Sequence, residues 1–262
     1  SNRCGLSIEW GILMIILKSD QELARMRRAG RIVAQAHALV AEIIRPGITT
    51  LELDRAVADF IDKAGAVSTF LGYHGYPAHI CTSVNEQVVH GIPGPYRLKE
   101  GDIVSVDIGV SIDGYCGDSA WTYPVGEVSE EARRLLEVAE KSLNAGIAKA
   151  VVGARLSDVS HAIQTVVEEA SFSVVRDFVG HGIGREMHEP PQVPNYGPPG
   201  KGPRLRAGMT LAIEPMVNQG TYEVEVLADQ WTVVTKDGKL SAHFEHTVAI
   251  TDNGPEILTV LD

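Results

Sequence analysis

The sequence predicts an α+β fold made of two duplicated α/β halves. Pairs of helix-start signals occur twice along the chain, and each pair is followed by strand-like segments. A short self-similarity supports the duplication, because the same Arg-Leu, glycine, strand and acid pattern ends at Asp107 and, 107 residues later, at Glu214. We therefore expect a pseudo-twofold axis that relates the two halves and brings these carboxylates towards one site.

The first half is expected to begin with two helices. In both, a Ser or Thr is followed three residues later by Glu, which is the spacing of a capping box. The predicted helices cover residues 19–44 and 49–64, and glycines follow their ends. Two strands over residues 103–109 and 115–123 come next, joined by an Asp-Gly hairpin turn at residues 113–114.

The second half is expected to repeat this order. Helices over residues 129–151 and 157–170 precede further strand and loop segments. Gly101 and Gly208 stand at matching points, each just before a strand. A single matching glycine would be weak evidence, but the register of the whole pattern favours duplication over chance.

The composition is that of an ordinary globular protein with an acidic surface. The chain has 262 residues, of which 44% are apolar and 22% charged, and its formal net charge is −11. Because an acidic surface repels phosphate, we expect no DNA partner. Two basic groups are expected to be solvated faces, with ribosome contacts as the hypothetical alternative. They are Arg25, Arg27, Arg28 and Arg31 on the first helix, and Lys201, Arg204 and Arg206 in a loop.

The cysteines predict neither a disulfide framework nor a thiolate metal site. There are three of them, Cys4, Cys81 and Cys116, and they are widely spaced. This pattern fits a reducing compartment, and we expect the protein in the cytoplasm.

The first residues do not resemble a membrane segment. The apolar run over residues 10–17 is far shorter than the roughly 20 residues that a membrane span needs. No small-residue cleavage site follows it, and Met14 would be a natural start. We expect residues 1–13 to be a vector-derived remnant or a misassigned start, and residues 14–262 to form a single catalytic domain.

Four carboxylates and one histidine lie in settings that favour metal binding. Asp107 lies within an apolar strand and Asp118 on its hairpin partner, so the two side chains are expected to converge on one face. Glu214 and Glu245 also lie in apolar, strand-like segments. Like charges on a half-buried face repel each other unless a cation lies between them. His181 lies between glycines, which leave its backbone free to bend.

These donors suit hard or borderline divalent ions. A lone histidine is usually not a ligand, and buried carboxylates can also be paired with distant basic residues. A set of four oxygen donors and one nitrogen donor nevertheless suits divalent ions such as Mn, Fe, Co or Zn, and it does not resemble the ligand set of a thiolate zinc site. Bridging carboxylates can hold two such ions about 3.5–4 Å apart, as in many hydrolases.

Three longer segments carry a family resemblance. They read NEQVVHGIP over residues 85–93, GHGIGREMHE over residues 180–189 and AIEPM over residues 212–216. With the five candidate ligands in the same chain order, the sequence from Met14 to the C-terminus resembles the type I methionine aminopeptidases of the pita-bread metallopeptidase family. The resemblance implies two pseudo-twofold-related α/β halves with a central antiparallel sheet covered by helices.

The resemblance also implies roles for the ligands. The site would hold two divalent ions, which could be Co, Mn, Fe or Zn. Asp107 would bind one ion, His181 and Glu214 would bind the other, and Asp118 and Glu245 would bridge the two. Glu214 would in addition shuttle a proton during hydrolysis.

Further residues are implied in substrate binding. His188 would donate a hydrogen bond to the scissile carbonyl as charge develops on it. His90 would contact the backbone amide of the residue after methionine. The apolar, aromatic and soft methionine pocket would comprise Phe70, Tyr73, Tyr76, Cys81, Met187 and Trp231. At the first of these positions relatives often carry cysteine, and at Met187 an aromatic residue, so the pocket shape is expected to differ. Asn85 and Ser241 match positions that hold a monovalent cation in relatives.

The activity implied is removal of the initiator methionine from nascent proteins, with a small second residue preferred. Methionyl peptides and nascent chains would be the substrates, the ribosome a partner, and the enzyme a monomer. One alternative is an Xaa-Pro aminopeptidase or prolidase-like peptidase, although these usually carry a large N-terminal domain. The other is a non-catalytic binding protein of the same fold, although such proteins typically lose metal ligands, and all five are present here.

Overall fold

The computed structural model describes residues 14–262. Its four long helices fall into two pairs, as the sequence predicted. They are α1 (Asp20–Ile43), α2 (Thr50–Lys63), α3 (Glu130–Ala148) and α4 (Leu156–Glu169). The prediction for residues 1–13 lies outside the described part of the chain. The prediction of a single domain over residues 14–262 also stays a prediction.

Local hydrogen bonds explain where these helices begin and end. Both predicted capping boxes are present. The hydroxyl oxygens of Ser19 and Thr49 each accept a hydrogen bond from the backbone amide three residues later, and the backbone amides of Ser19 and Thr49 donate to the side chain of the glutamate at that position. The helix predicted over residues 129–151 ends earlier, at Ala148, because the amide of Lys149 turns to the carbonyl of Gly146.

The strands of the first half form a sheet around the long strand that carries Asp107. These strands are β1 (Val67–Ser68), β2 (Cys81–Val84), β4 (Ile103–Ile112) and β5 (Tyr115–Pro124), and β3 (Gln87–Val89) pairs elsewhere. β4 and β5 form the predicted hairpin, with Asp113 and Gly114 at φ 53° and 80° in the turn. β4 extends beyond the predicted residue 109, because pairing continues to this turn.

The second half supplies a five-stranded sheet. Its members are β7 (Gly180–Gly182), β8 (Glu189–Val193), β9 (Thr210–Ile213), β14 (His246–Thr251) and β15 (Gly254–Ile257), and they lie in the order β15-β14-β9-β7-β8. Two smaller sheets contain β6 (Ser173–Val174), β10 (Met216–Asn218) and β13 (Ser241–His243), and β3 with β11 (Val224–Val226) and β12 (Val233–Thr235). A bridge between Ala120 and Glu245 joins β5 to the start of β14, and all of these pairings are antiparallel.

The predicted duplication is visible in matching backbone contacts. A bridge joins Thr49 to Arg97 in the first half, and the same bridge joins Arg155 to Arg204 in the second. Arg97 and Arg204 each donate a hydrogen bond of 3.0 Å to the carbonyl of the glycine that follows the first helix of their half, Gly47 and Gly153 respectively. The copies differ at Pro215, where the strand matching β4 breaks between β9 and β10, because proline has no amide to donate.

The two largest hydrophobic clusters of the described residues each pack one pair of helices against the sheets. One packs α1 and α2 against β4, through residues such as Val33, Leu53 and Val106. The other packs α3 and α4 against β9 and β14, through residues such as Leu135 and Ile163. Within residues 14–262, no helix is long and apolar enough to cross a membrane.

Helix α1 approaches β5 closely at a pair of glycines. A Cβ placed on Gly117 would lie 2.9 Å from the backbone nitrogen of Gly30. A Cβ on Gly30 would lie 2.1 Å from the carbonyl oxygen of Leu258. The two glycines therefore allow α1 to pack directly beside Asp118.

Gly30→Ala is expected to destabilise the fold by about 1–3 kcal/mol, because backbone atoms must move to admit the methyl group. For a chain of this size that corresponds to a fall in Tm of about 2–10 °C in thermal unfolding. Gly94→Ala is the matched control, since the nearest atom to its added Cβ lies at 3.9 Å. Equal Tm values for the two variants would contradict the close packing described for α1.

Candidate metal centre and active site

Four of the five predicted ligands converge at the junction of the two halves. Ligand atoms of Asp118, His181, Glu214 and Glu245 all lie within 4.8 Å of one another. β5 carries Asp118, β7 carries His181, Glu214 follows β9, and Glu245 precedes β14. Pairing of β9 with both β7 and β14 brings three of these positions side by side.

Asp107 borders this cluster from β4. It pairs across the hairpin with Ala120, and Asp118 pairs with Gly109, so the two aspartates are diagonal neighbours on one face. Asp107 lines the same cavity as Asp118, His181 and Glu214. The predicted convergence of the hairpin aspartates is thus present, with an offset of two residues in register.

The carboxylates are crowded and short of donors. Among the described residues, no hydrogen-bond partner reaches Oδ1 of Asp107, Oδ1 of Asp118 or either carboxylate oxygen of Glu245, and all four atoms are buried. Burial, and then the charge of Asp118, raise the pKa values of Asp107 and Glu214 well above their usual range. Burial also raises the pKa of Asp118. Divalent cations would relieve both the repulsion and the missing contacts, so these residues fit a metal centre.

The imidazole of His181 is oriented for ligation. Its Nδ1 lies 2.8 Å from the carbonyl oxygen of Gly182. This contact places the ring proton on Nδ1, which leaves the Nε2 lone pair free. Nε2 lies 3.7 Å from Oε2 of Glu214 and 3.8 Å from Oδ2 of Asp118. Burial lowers the pKa of His181 and so favours the neutral ring that ligation requires.

Hydroxyl groups fix the backbone beside two of the ligands. Thr247 Oγ1 accepts the amide of Asp118 at 3.0 Å and donates to its carbonyl at 2.7 Å. Ser119 Oγ donates to the carbonyl of Glu245 at 2.6 Å. These hydroxyls were not predicted from the sequence, because they join residues more than 100 positions apart and no local pattern marks them.

A cavity of about 160 Å³ adjoins the cluster. All six predicted pocket residues line it, together with both accessory histidines. They are Phe70, Tyr73, Tyr76, Cys81, Met187 and Trp231, with His90 and His188. The rings of Tyr76 and Trp231 meet edge to face with centroids 5.1 Å apart. The wall is therefore mainly apolar and aromatic, and it ends at the carboxylates.

The two accessory histidines, His90 and His188, have lowered pKa values at this cavity. Burial, and then the neighbouring His181, lower the pKa of His188 to about 4. Its Nδ1 lies 3.1 Å from the hydroxyl of Tyr73, and its ring lies 4.2 Å from that of His181. Burial also lowers the pKa of His90, whose ring packs edge-on against Phe178. Phe178 was not singled out in the sequence.

The remaining predicted residues lie elsewhere. Asn85 and Ser241 are adjacent, since the amide of Ser241 donates to the carbonyl of Asn85 at 3.0 Å. The side chain of Asn85 is engaged by Asp102 and by the amide of Ile103. A monovalent cation at this position stays a prediction.

The arginines of α1 make ion pairs with acidic residues on other elements. Arg27 contacts Glu256, Arg28 contacts Asp113, and Arg31 contacts Asp262. Three of the four arginines of this basic group are thus paired within the chain, and a ribosome contact stays a prediction.

Metal binding is expected to stabilise the folded protein. The ligands come together only in the native state, so a divalent ion at about 100 times its Kd should add about 2.7 kcal/mol. Thermal unfolding with Mn or Co, compared with protein treated with a chelator, should show a Tm higher by about 5–10 °C. Glu245→Gln should reduce this shift. A Tm that is the same with metal and with chelator would count against a metal centre here.

The fold and this cluster define a metal-dependent peptidase class. The pattern of metallopeptidase family M24 matches residues 24–252. Because that match spans most of the chain, the chain belongs to metallopeptidase family M24.

Within that family the similarity to methionine aminopeptidases is high. The chain is 60% identical to methionine aminopeptidase 1 of Bacillus subtilis, over 94% of this chain and 99% of that protein. It is 50% identical to methionine aminopeptidase 1 of Mycobacterium tuberculosis, over 93% and 94% of the two chains. The crystal structure of methionine aminopeptidase from Thermotoga maritima superimposes with a TM-score of 0.93 at 50% identity, covering 95% of this chain and 100% of that one. The predicted resemblance and the pita-bread fold are confirmed.

A proline-specific relative shares the fold at a greater distance. Prolidase from Pyrococcus furiosus superimposes with a TM-score of 0.75 at 22% identity, over 94% of this chain and 66% of that chain. This likeness concerns the fold alone. The comparisons therefore favour the methionine aminopeptidase interpretation over the prolidase alternative.

Proposed function

We propose that this chain is a methionine aminopeptidase, a hydrolase that removes the initiator methionine from nascent proteins. The observation that carries the proposal is the adjacency of two features. A cluster of metal-type ligands lies at the end of a cavity whose wall is apolar, aromatic and sulfur-containing. This cavity suits one thioether side chain, since polarisable sulfur packs favourably against aromatic rings.

Two divalent ions would be held by the five ligands. Asp107 would hold one ion, His181 and Glu214 would hold the other, and Asp118 and Glu245 would contribute to holding both. When bound, such ions lower the pKa of a water molecule and polarise the carbonyl to be attacked. The ions Co, Mn, Fe and Zn all fit this donor set.

Glu214 is placed to hold and release a proton. Its side chain is 14% exposed and faces both the cavity and His181. A carboxyl group at this edge of the cavity is within reach of a water molecule held at the metal centre and can accept and release a proton. We assign to it the transfer of a proton from the attacking water to the leaving amine.

His188 and His90 would orient the peptide. A neutral His188 carries one ring N–H, and we assign it to the scissile carbonyl oxygen, where negative charge develops. We assign His90 to the backbone amide of the second residue. Burial lowers the pKa of both rings, which favours the neutral imidazole that can donate one ring N–H without adding a fixed charge to the cavity.

Methionine recognition would come from the cavity wall. Phe70, Met187 and Cys81 are buried and in one cluster with Tyr76, and Trp231 packs against it. The methionine side chain would lie among these groups and Tyr73. The free amino terminus of the substrate would bind at the metal centre, and an internal peptide bond has no such amine, which favours exopeptidase action.

The remaining proposals concern cellular context. We propose peptides with N-terminal methionine and a small second residue as substrates, and a cytoplasmic, monomeric enzyme that meets nascent chains near the ribosome. Asn85 and Ser241 would bind a monovalent cation.

The test is release of free methionine from Met-Gly-Met-Met by metal-stripped protein with Co, Mn, Fe or Zn added back. Xaa-Pro peptides are the control substrates. Metal-dependent release of methionine alone is the expected result. Cleavage of Xaa-Pro peptides alone would move the protein to the proline-specific branch, and no cleavage with any of these metals would favour a binding protein.

A further inference from the structure

A buried ion pair lies behind the connection between β7 and β8, residues 183–188. Nζ of Lys18 lies 2.6 Å from Oε2 of Glu189, and the side chains of the two residues are only 4% and 7% exposed. Lysine and glutamate are almost never this buried unless they are paired. This connection carries Met187 and His188, which both line the active-site cavity.

The second oxygen of Glu189 is bonded to the connection itself. Oε1 accepts the amide of Arg185 at 2.9 Å and the amide of Glu186 at 3.4 Å. One carboxylate therefore joins Lys18 to the turn that immediately precedes Met187. Such charge-assisted hydrogen bonds are among the stronger ones in proteins.

Lys18 is in turn held to the central sheet. Its amide donates to the carbonyl of Gly208 at 2.8 Å, just before β9, and its Nζ also lies 3.3 Å from the carbonyl of Ile16. The connection packs tightly on the pair, because a Cβ on Gly184 would lie 2.5 Å from Cε of Lys18 and 2.7 Å from Oε1 of Glu189. Only glycine fits at that position without displacing the pair.

The opposite side of the connection faces the cavity. Met187 packs in one cluster with Phe70 and Cys81. The ring of His188 lies against that of His181. A small shift of residues 183–188 would therefore move both a pocket wall and the group assigned to the scissile carbonyl.

We infer that Lys18 and Glu189 are positioning residues, whose buried ion pair holds residues 183–188 so that Met187 and His188 face the substrate. The inference rests on the proposed function, since it concerns residues of that active site. A buried ion pair contributes little net stability compared with an apolar pair of the same size. Removing one partner alone leaves an uncompensated buried charge and is expected to lower stability as well, so the tests below separate the position of the connection from global unfolding.

The first test is Lys18→Met, which leaves the carboxylate of Glu189 buried without its cation. With saturating metal, kcat for Met-Gly-Met-Met should fall about 10- to 100-fold, as small misplacements of catalytic groups typically cause. In a His188→Ala background the same change should cost less than about threefold, because the group that it positions is already gone. A general loss of stability would not produce this non-additivity.

The second test does not depend on activity. The amides of Arg185 and Glu186 should exchange with deuterium about tenfold faster in Lys18→Met, because their acceptor is no longer fixed. If the wild type released no methionine but this change in exchange were found, the proposed function would fail while the positioning role stood. Rapid methionine release by both proteins, with unchanged exchange, would instead support the proposed function and overturn the positioning role.

Two further variants complete the design. The double variant Lys18→Met, Glu189→Gln removes the unpaired charge and keeps a side-chain oxygen that the amides of Arg185 and Glu186 can donate to. It should therefore recover part of kcat. It also replaces the single variant in these measurements if Lys18→Met fails to fold. Arg27→Met breaks the exposed pair between α1 and Glu256 and should leave kcat within about twofold. If kcat and both amide exchange rates in Lys18→Met stay within about twofold of wild type, the pair only anchors residues 14–19 and the inference is wrong.

Discussion

Replacing Glu214 by glutamine is expected to reduce kcat for methionine release by about 10³-fold or more. Glutamine keeps the shape of the side chain, but it cannot carry a proton between water and the leaving amine, a role worth about 10²–10⁴ in rate. It is also a weaker ligand than a carboxylate, so the metal-dependent rise in Tm should shrink. The measurements are methionine release under saturating metal and thermal unfolding with and without metal.

The same substitution should not destabilise the metal-free protein. Burial and the charge of Asp118 make an ionised Glu214 unfavourable in the metal-free protein, so a neutral amide of the same shape introduces no new unfavourable interaction. Loss of activity with an unchanged or higher metal-free Tm would separate chemistry from folding. Glu137→Gln on the exposed face of α3 is the matched control and should leave both quantities unchanged. Retention of more than about a tenth of wild-type kcat would contradict the role of Glu214 in proton transfer.

The helices and the duplicated plan could be predicted because their signals are local. A capping box spans four residues, and both predicted boxes form the reciprocal hydrogen bonds that define them. The hairpin turn likewise depends on two residues that adopt positive φ. The equal offset of Asp107 and Glu214 from matching glycines placed one carboxylate of each half at the site, and both line one cavity.

The contacts that position the site could not be predicted, because they join distant parts of the chain. Lys18 and Glu189 are 171 residues apart, and neither belongs to a motif that requires the other. Thr247 and Asp118 are 129 residues apart, and a threonine in a strand is common without any such contact. The break between β9 and β10 at Pro215 could have been predicted, since proline has no backbone amide to donate to a neighbouring strand.

Replacing His188 by alanine is expected to reduce kcat by about 10²–10³-fold with a much smaller change in KM. A hydrogen-bond donor aimed at developing oxyanion charge acts mainly in the transition state, so its loss lowers kcat more than it weakens substrate binding. Metal affinity should change little, because Nδ1 of His188 contacts Tyr73 and the residue is not in the four-residue ligand cluster. Steady-state kinetics and the metal-dependent Tm shift measure the two effects separately.

His74 provides the matched control for this prediction. It also packs on the ring of Tyr73, with centroids 4.3 Å apart, yet it does not line the cavity. His74→Ala should therefore keep kcat within about twofold of wild type. If His188→Ala instead raised KM and left kcat unchanged, the ring would bind substrate and transition state equally. His188 would then be a wall of the pocket, and the ion pair of Lys18 and Glu189 would tune affinity rather than rate.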